Sequence, residues 1–138
     1  TNSRSSTRPS PRGAGETVLL VEDDTAVRTL AERILTHSGY RVLEAPTGAV
    51  AIDVWQKHRD AVRVLLTDLV MPGGMTGREL ARRLQREGAK LGVVYMSGYS
   101  AEIAGGEIEV ERGESFLAKP FEPHQLAAVV RATLDADV

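Results

Sequence analysis

Val64-Leu65-Leu66-Thr67-Asp68-Leu69-Val70-Met71-Pro72-Gly73-Gly74-Met75-Thr76-Gly77 is the stretch on which the reading of this chain turns. It opens on an apolar run, Val64 to Leu66, short enough to be a strand buried on both faces. It closes on Met71-Pro72-Gly73-Gly74, which cannot continue a strand and reads as a loop. Asp68 stands at the seam. Alone, a carboxylate there is as easily a turn former as a functional group, so its neighbours in the fold must decide.

Working outward, the same punctuation recurs. Val18 to Val21 is a buried strand, and Val27, Leu30, Ala31, Ile34 and Leu35 then share one helical face before Gly39. Residues 40–45 read as a second strand, and Thr47 caps a helix running to about Lys57. Thr76 and Glu79 form a capping box that opens a helix turning Leu80 and Leu84 inward. Its Arg82, Arg83 and Arg86 point outward and read as a solvated face. Residues 91–96 and 115–118 supply two further strands, and a last helix begins at Pro123. Between Ser100 and Gly113 a connecting helix is required, but Gly105-Gly106 interrupts it, so a short or frayed fourth helix is expected.

Five strands alternating with five helices predict an α/β fold: a parallel, doubly wound, flavodoxin-like sheet in the order 2-1-3-4-5. Residues 16–138 form one domain by length. Residues 1–15 hold no large apolar side chain and read as a disordered linker. The three Arg of that linker are too few for a basic anchor, and without them the domain carries 14 basic against 19 acidic residues. A direct nucleic-acid partner is therefore not expected. The absence of cysteine excludes disulfides and thiolate metal sites. No apolar run is long enough to cross a membrane, so no membrane contact by the domain and a cytoplasmic location are expected.

Ligands bind a sheet of this order at the carboxyl ends of its strands, where the order reverses. After the first strand come Glu22-Asp23-Asp24, after the third Asp68, after the fourth Ser97 and after the fifth Lys119. The second strand contributes nothing notable there. Crowded carboxylates repel unless a cation lies between them, and an all-oxygen set suits Mg2+. A lysine and a hydroxyl beside them suit the oxygens of a phosphoryl group.

The motifs VLLVEDD, LLTDLVMPGGMTG, VYMSGY and FLAKPF occur in order and cover nearly everything after the linker. Together they resemble the receiver domains of two-component response regulators. That resemblance implies Asp68 as phosphoacceptor, attacking the phosphorus of a phosphohistidine on a histidine kinase or histidine phosphotransfer domain. It implies Asp23 as a direct Mg2+ ligand, Glu22 as one acting through water, and the Val70 carbonyl as another ligand. Aligned on Arg28, it leaves Asp24 to cap the first helix. Ser97 and Lys119 would hold phosphoryl oxygens, and the Lys119-Pro120 bond would be cis. Ser97 and Phe116 would switch the face made by the fourth helix, fifth strand and last helix, which is also the expected route to a dimer.

Three departures qualify the match. Phe116 stands where a tyrosine is common, Gly73-Gly74 lengthens the loop, and Val70 is apolar where a polar side chain would orient attacking water. A long-lived phosphoryl group is the expectation. The domain is read as a signalling phosphoacceptor with self-catalysed phosphorylation rather than an enzyme. Wording such as PGGMTG and MSGYS resembles receivers of hybrid histidine kinases, with a stand-alone regulator as the alternative. A haloacid dehalogenase-type phosphatase would want an Asp where Val70 stands. A flavodoxin-type cofactor site would want Ser, Thr and Gly where Glu22-Asp23-Asp24 stand. The complete acidic, Ser and Lys set argues against a degenerate receiver that serves only as a scaffold.

Overall fold

The computed structural model describes residues 13–71, 75–88, 90–98 and 114–136. In chain order they form β1 (Thr17–Val21), α1 (Thr25–His37), β2 (Arg41–Ala45), α2 (Gly48–His58), β3 (Val62–Asp68), α3 (Gly77–Arg86), β4 (Gly92–Ser97), β5 (Glu114–Ala118) and α4 (Pro123–Ala136). The five strands make one parallel sheet in the order β2-β1-β3-β4-β5, as the alternation of elements predicts. Four helices, not five, occur among the described residues. The expected fourth connecting helix, between Ser100 and Gly113, lies outside them.

The sheet is covered on both faces because its apolar strands alternate sides. Val18, Leu20, Val64, Leu66, Val94 and Met96 pack with Ile34 and Leu35 of α1 and Leu126 and Val130 of α4. Their alternates Leu19, Val21, Leu65, Val93 and Tyr95 pack with Ile52 and Trp55 of α2 and Leu80 and Leu84 of α3. Each near-continuous hydrophobic run is thus consumed by two layers at once.

Side chains fix where the helices start. Asp24 Oδ1 accepts from the amides of Ala26 at 2.9 Å and Val27 at 3.1 Å, satisfying donors that α1 leaves open. Thr47 caps α2, and Thr76 and Glu79 form the expected capping box on α3. Gly39 ends α1 at φ 99°, in the left-handed region that suits glycine.

Two expectations are modified. The Arg cluster of α3 is not simply a solvated face: Arg82 Nη1 donates to Glu114 Oε2 at 2.8 Å, and Tyr95 Oη donates to the same oxygen at 3.1 Å. A buried carboxylate at the head of β5 demands such partners. At the amino end, Gly13 donates to the Ser38 carbonyl at 2.6 Å and Gly15 to that of Gly39 at 2.9 Å. Residues 13–15, expected within the linker, therefore lie against the end of α1.

Candidate phosphoacceptor site at the switch point

β1 and β3 are neighbours on which the strand order reverses, so their carboxyl ends open a crevice. Glu22 and Asp68 stand in it. Glu22 is 1% exposed and Asp68 7% exposed, whereas Asp23, between Glu22 and the cap Asp24, is turned to solvent. One carboxylate oxygen from each of Glu22, Asp23 and Asp68 can be chosen so that all lie within 4.8 Å of one another.

Lys119, delivered by the turn after β5, bridges the two buried acids. Its Nζ lies 3.0 Å from Glu22 Oε1 and 3.2 Å from Asp68 Oδ1. The other oxygen of Glu22, Oε2, accepts from the Asp24 amide at 3.0 Å. The Lys119 amide donates to the Ser97 carbonyl at 2.8 Å, and the Lys119-Pro120 peptide is cis, as the motif implies. Ser97, at the end of β4, is buried beside this group, and its strand register sets it opposite Ala118.

The charges are poorly neutralised. Burial, then the negative charge of Glu22, pushes the Asp68 carboxyl up to about 6, with Lys119 pulling the other way. For Lys119, burial lowers the ammonium, but the hydrogen bond to Glu22 and the charges of Asp68 and Glu22 outweigh it and raise the group. One lysine facing two buried carboxylates and a third alongside leaves net negative charge in a low-dielectric crevice. Hard oxygen donors carrying that surplus fit a divalent cation such as Mg2+.

The backbone around Asp68 is crowded. Leu69 donates to the Met96 carbonyl at 2.8 Å, and Gly77 donates to that of Leu69 at 2.9 Å. A Cβ on Gly77 would collide with the Asp68 carbonyl oxygen. Val70 projects into solvent, 58% exposed, and Phe116 is half-buried against the layer under α2 and α3. Beside Lys119 runs an apolar groove of about 300 Å3, lined by Val27, Leu30, Gly98, Pro120 and Phe121, with Leu30 49% exposed.

Sequence reading missed two contacts here, both made by the Arg28 guanidinium. Arg28 Nη1 donates to the Glu22 carbonyl at 2.7 Å, and Arg28 Nε pairs with Glu44 Oε1 of β2 at 3.3 Å. The second strand is thus not silent at this edge. No local pattern announces Glu44 as the partner of Arg28.

A doubly wound sheet with buried acids and a lysine at its switch point defines the class of small α/β domains that handle charged ligands at that edge. Residues 18–131 match the family model described as the response regulator receiver domain. The response regulator receiver protein CpdR of Brucella abortus (strain 2308) is 33% identical over 119 residues, covering 86% of this chain and 97% of that protein. The sensor kinase CckA of the same organism is 35% identical over 119 residues, covering 86% of this chain but only 12% of the kinase. Among solved structures, the receiver domain from the hybrid histidine kinase CckA superposes with a TM-score of 0.73 at 33% identity, covering 86% of this chain and 98% of that one. A response regulator receiver protein from Sinorhizobium medicae WSM419 gives 0.76 at 28% identity, covering 90% and 98%. The chain belongs to the response regulator receiver family.

Proposed function

We propose that this domain accepts a phosphoryl group on Asp68 from a phosphohistidine, within a phosphorelay that includes a hybrid histidine kinase. The observation that carries this reading is the sharing of Lys119 between buried Asp68 and Glu22, with Asp23 alongside. An Asp68 oxygen attacks phosphorus, the P–N bond to the partner imidazole breaks, and the imidazole takes up a proton as it leaves. Such a transfer needs alignment and charge neutralisation more than covalent chemistry from the protein.

Glu22, Asp23, Asp68 and the Val70 carbonyl would hold Mg2+, which when bound offsets the charge gathering on the transferred group. Lys119 Nζ and the Ser97 hydroxyl would hold phosphoryl oxygens. Among the described residues no helix is long and apolar enough to cross a membrane. The receiver protein CpdR, 97% of which the match covers, supports a stand-alone regulator as the second reading.

Acetyl phosphate with Mg2+ is expected to place a hydroxylamine-labile acyl phosphate on Asp68, located by mass spectrometry. Label on another side chain, or label indifferent to Mg2+, would overturn the assignment. The groove along Leu30 supports a protein donor, since a small phosphodonor needs no apolar surface. In the same assay, Leu30→Asp should slow transfer from a phosphohistidine protein and leave labelling by acetyl phosphate unchanged. Equal slowing with both donors would remove the groove from the account.

Phosphorylation places up to about two negative charges where one carboxylate stood. Ser97 would be drawn toward them, and Phe116 would move inward with the strand it sits on. Beryllofluoride, a phosphoryl mimic, should therefore shift amide signals across β5 and α4. Silence there would leave Phe116 as fixed core. The exposed Val70 side chain offers no polar atom to orient water. Val70→Asn is expected to shorten the phosphoryl half-life several-fold, and an unchanged half-life would undercut that reasoning.

A further inference from the structure

Glu22 turns inward to Lys119 while the adjacent Asp23 faces solvent, and yet both carboxylates must reach one point. The backbone between β1 and α1 has to be held for that to happen. Two contacts hold it. The Glu22 amide donates to the Ala45 carbonyl at 3.1 Å, and the Glu22 carbonyl accepts from Arg28 Nη1 at 2.7 Å. Arg28 is mostly buried, and its Nε is engaged by Glu44 at 3.3 Å, so its planar fork spans from the turn to the neighbouring strand.

We propose that Arg28, steered by Glu44, is a positioning residue for the cation site: it fixes the turn at Glu22 so that Glu22 and Asp23 converge with Asp68. The inference rests on the proposed Mg2+-dependent function. Arg28 grips the Glu22 peptide that aims the carboxylates rather than a carboxylate oxygen of the acidic cluster. Arg28 is mostly buried and only Glu44 is half-exposed, so thermal melting followed beside Mg2+ affinity is what separates this role from a merely structural one.

The test measures Mg2+ affinity by calorimetric titration, beside thermal melting and labelling by acetyl phosphate. For Arg28→Ala a dissociation constant raised about 10-fold is expected, the usual scale for losing a group that orients a metal ligand. Labelling should recover at saturating Mg2+, with the melting temperature little changed. Arg28→Lys, which can still donate to the Glu22 carbonyl, should recover part of the affinity, and Glu44→Gln should lose less than Arg28→Ala. Parent-like affinity in Arg28→Ala, or a loss that merely follows unfolding in all three variants, overturns the inference while leaving the phosphoacceptor reading intact. Failure of the parent itself to bind Mg2+ overturns both.

Discussion

Asp68→Asn is expected to lose all label from acetyl phosphate and, without Mg2+, to melt at a higher temperature than the parent near neutral pH. Loss of label follows from chemistry, because an amide oxygen is no nucleophile toward phosphorus. The gain in stability follows from the crevice. Asp68 is held up to about 6, first by burial and then by Glu22, against 3.8 for the free group. A gap of that size corresponds to roughly 3 kcal/mol of penalty on the ionised form. As pH rises from about 4 to 6 the unfolded chain releases this proton and the folded chain keeps it. The folded state then binds more protons, so stability falls through that window and stays low above it. Asparagine has no proton to lose there, and Lys119 keeps Glu22 as a partner at 3.0 Å. The two proteins should differ most at pH 7 and least below pH 4, and saturating Mg2+ should narrow the difference by restoring the parent. Label retained by the variant would end the phosphoacceptor assignment. A variant no more stable at pH 7 would show that Lys119 already neutralises the crevice.

What was legible in the sequence divides by the range of the interaction. Runs such as Val18–Val21 and Val64–Leu66 announce buried strands because every residue in them is apolar, and the sheet order follows from alternation with helices. The caps at Asp24, Thr47 and Thr76 are visible because each acts within three residues of itself. Glu22, Asp68 and Lys119 could be placed together without coordinates, since parallel strands all end on one edge. The edge does not say which acids are buried, nor that Lys119 bridges two of them. Contacts made by long side chains across elements stayed hidden. Arg82 reaches Glu114 from 32 positions away, and Arg131 reaches Glu16 from 115 away. Neither leaves a trace in local periodicity, which marks the Arg cluster only as a polar helix face. The packing of the residues just before Glu16 is hidden for a related reason. Gly13 and Gly15 have no side chains to pack, yet their amides find the carbonyls of Ser38 and Gly39 at the end of α1.

Gly77 illustrates a constraint of the same hidden kind with a larger consequence: Gly77→Ala is expected to damage both the stability and the site. Gly77 is the first residue of α3, where alanine is ordinarily the better helix former, so sequence propensity favours the substitution. Its surroundings forbid it. A Cβ there would overlap the Asp68 carbonyl oxygen and crowd Thr67 Cγ2 at 3.1 Å. The carbonyl cannot simply swing away, because it accepts from Thr67 Oγ1 at 3.0 Å and belongs to a strand paired on both sides. Nor can α3 retreat freely, since the Gly77 amide is bonded to the Leu69 carbonyl at 2.9 Å and Leu80 and Leu84 are fully buried. Overpacking of this sort costs about 1–3 kcal/mol, which for a domain of this size lowers the melting temperature by roughly 5–10 °C. The displaced atoms are the backbone of the phosphoacceptor itself. Labelling by acetyl phosphate should therefore fall at least 10-fold even at temperatures where the variant is fully folded, since a shift of about 1 Å is enough to spoil alignment. Serine should behave like alanine, having the same Cβ. Parent-like labelling by a folded Gly77→Ala would mean that α3 yields at its first turn, and that Asp68 is held by β3 alone.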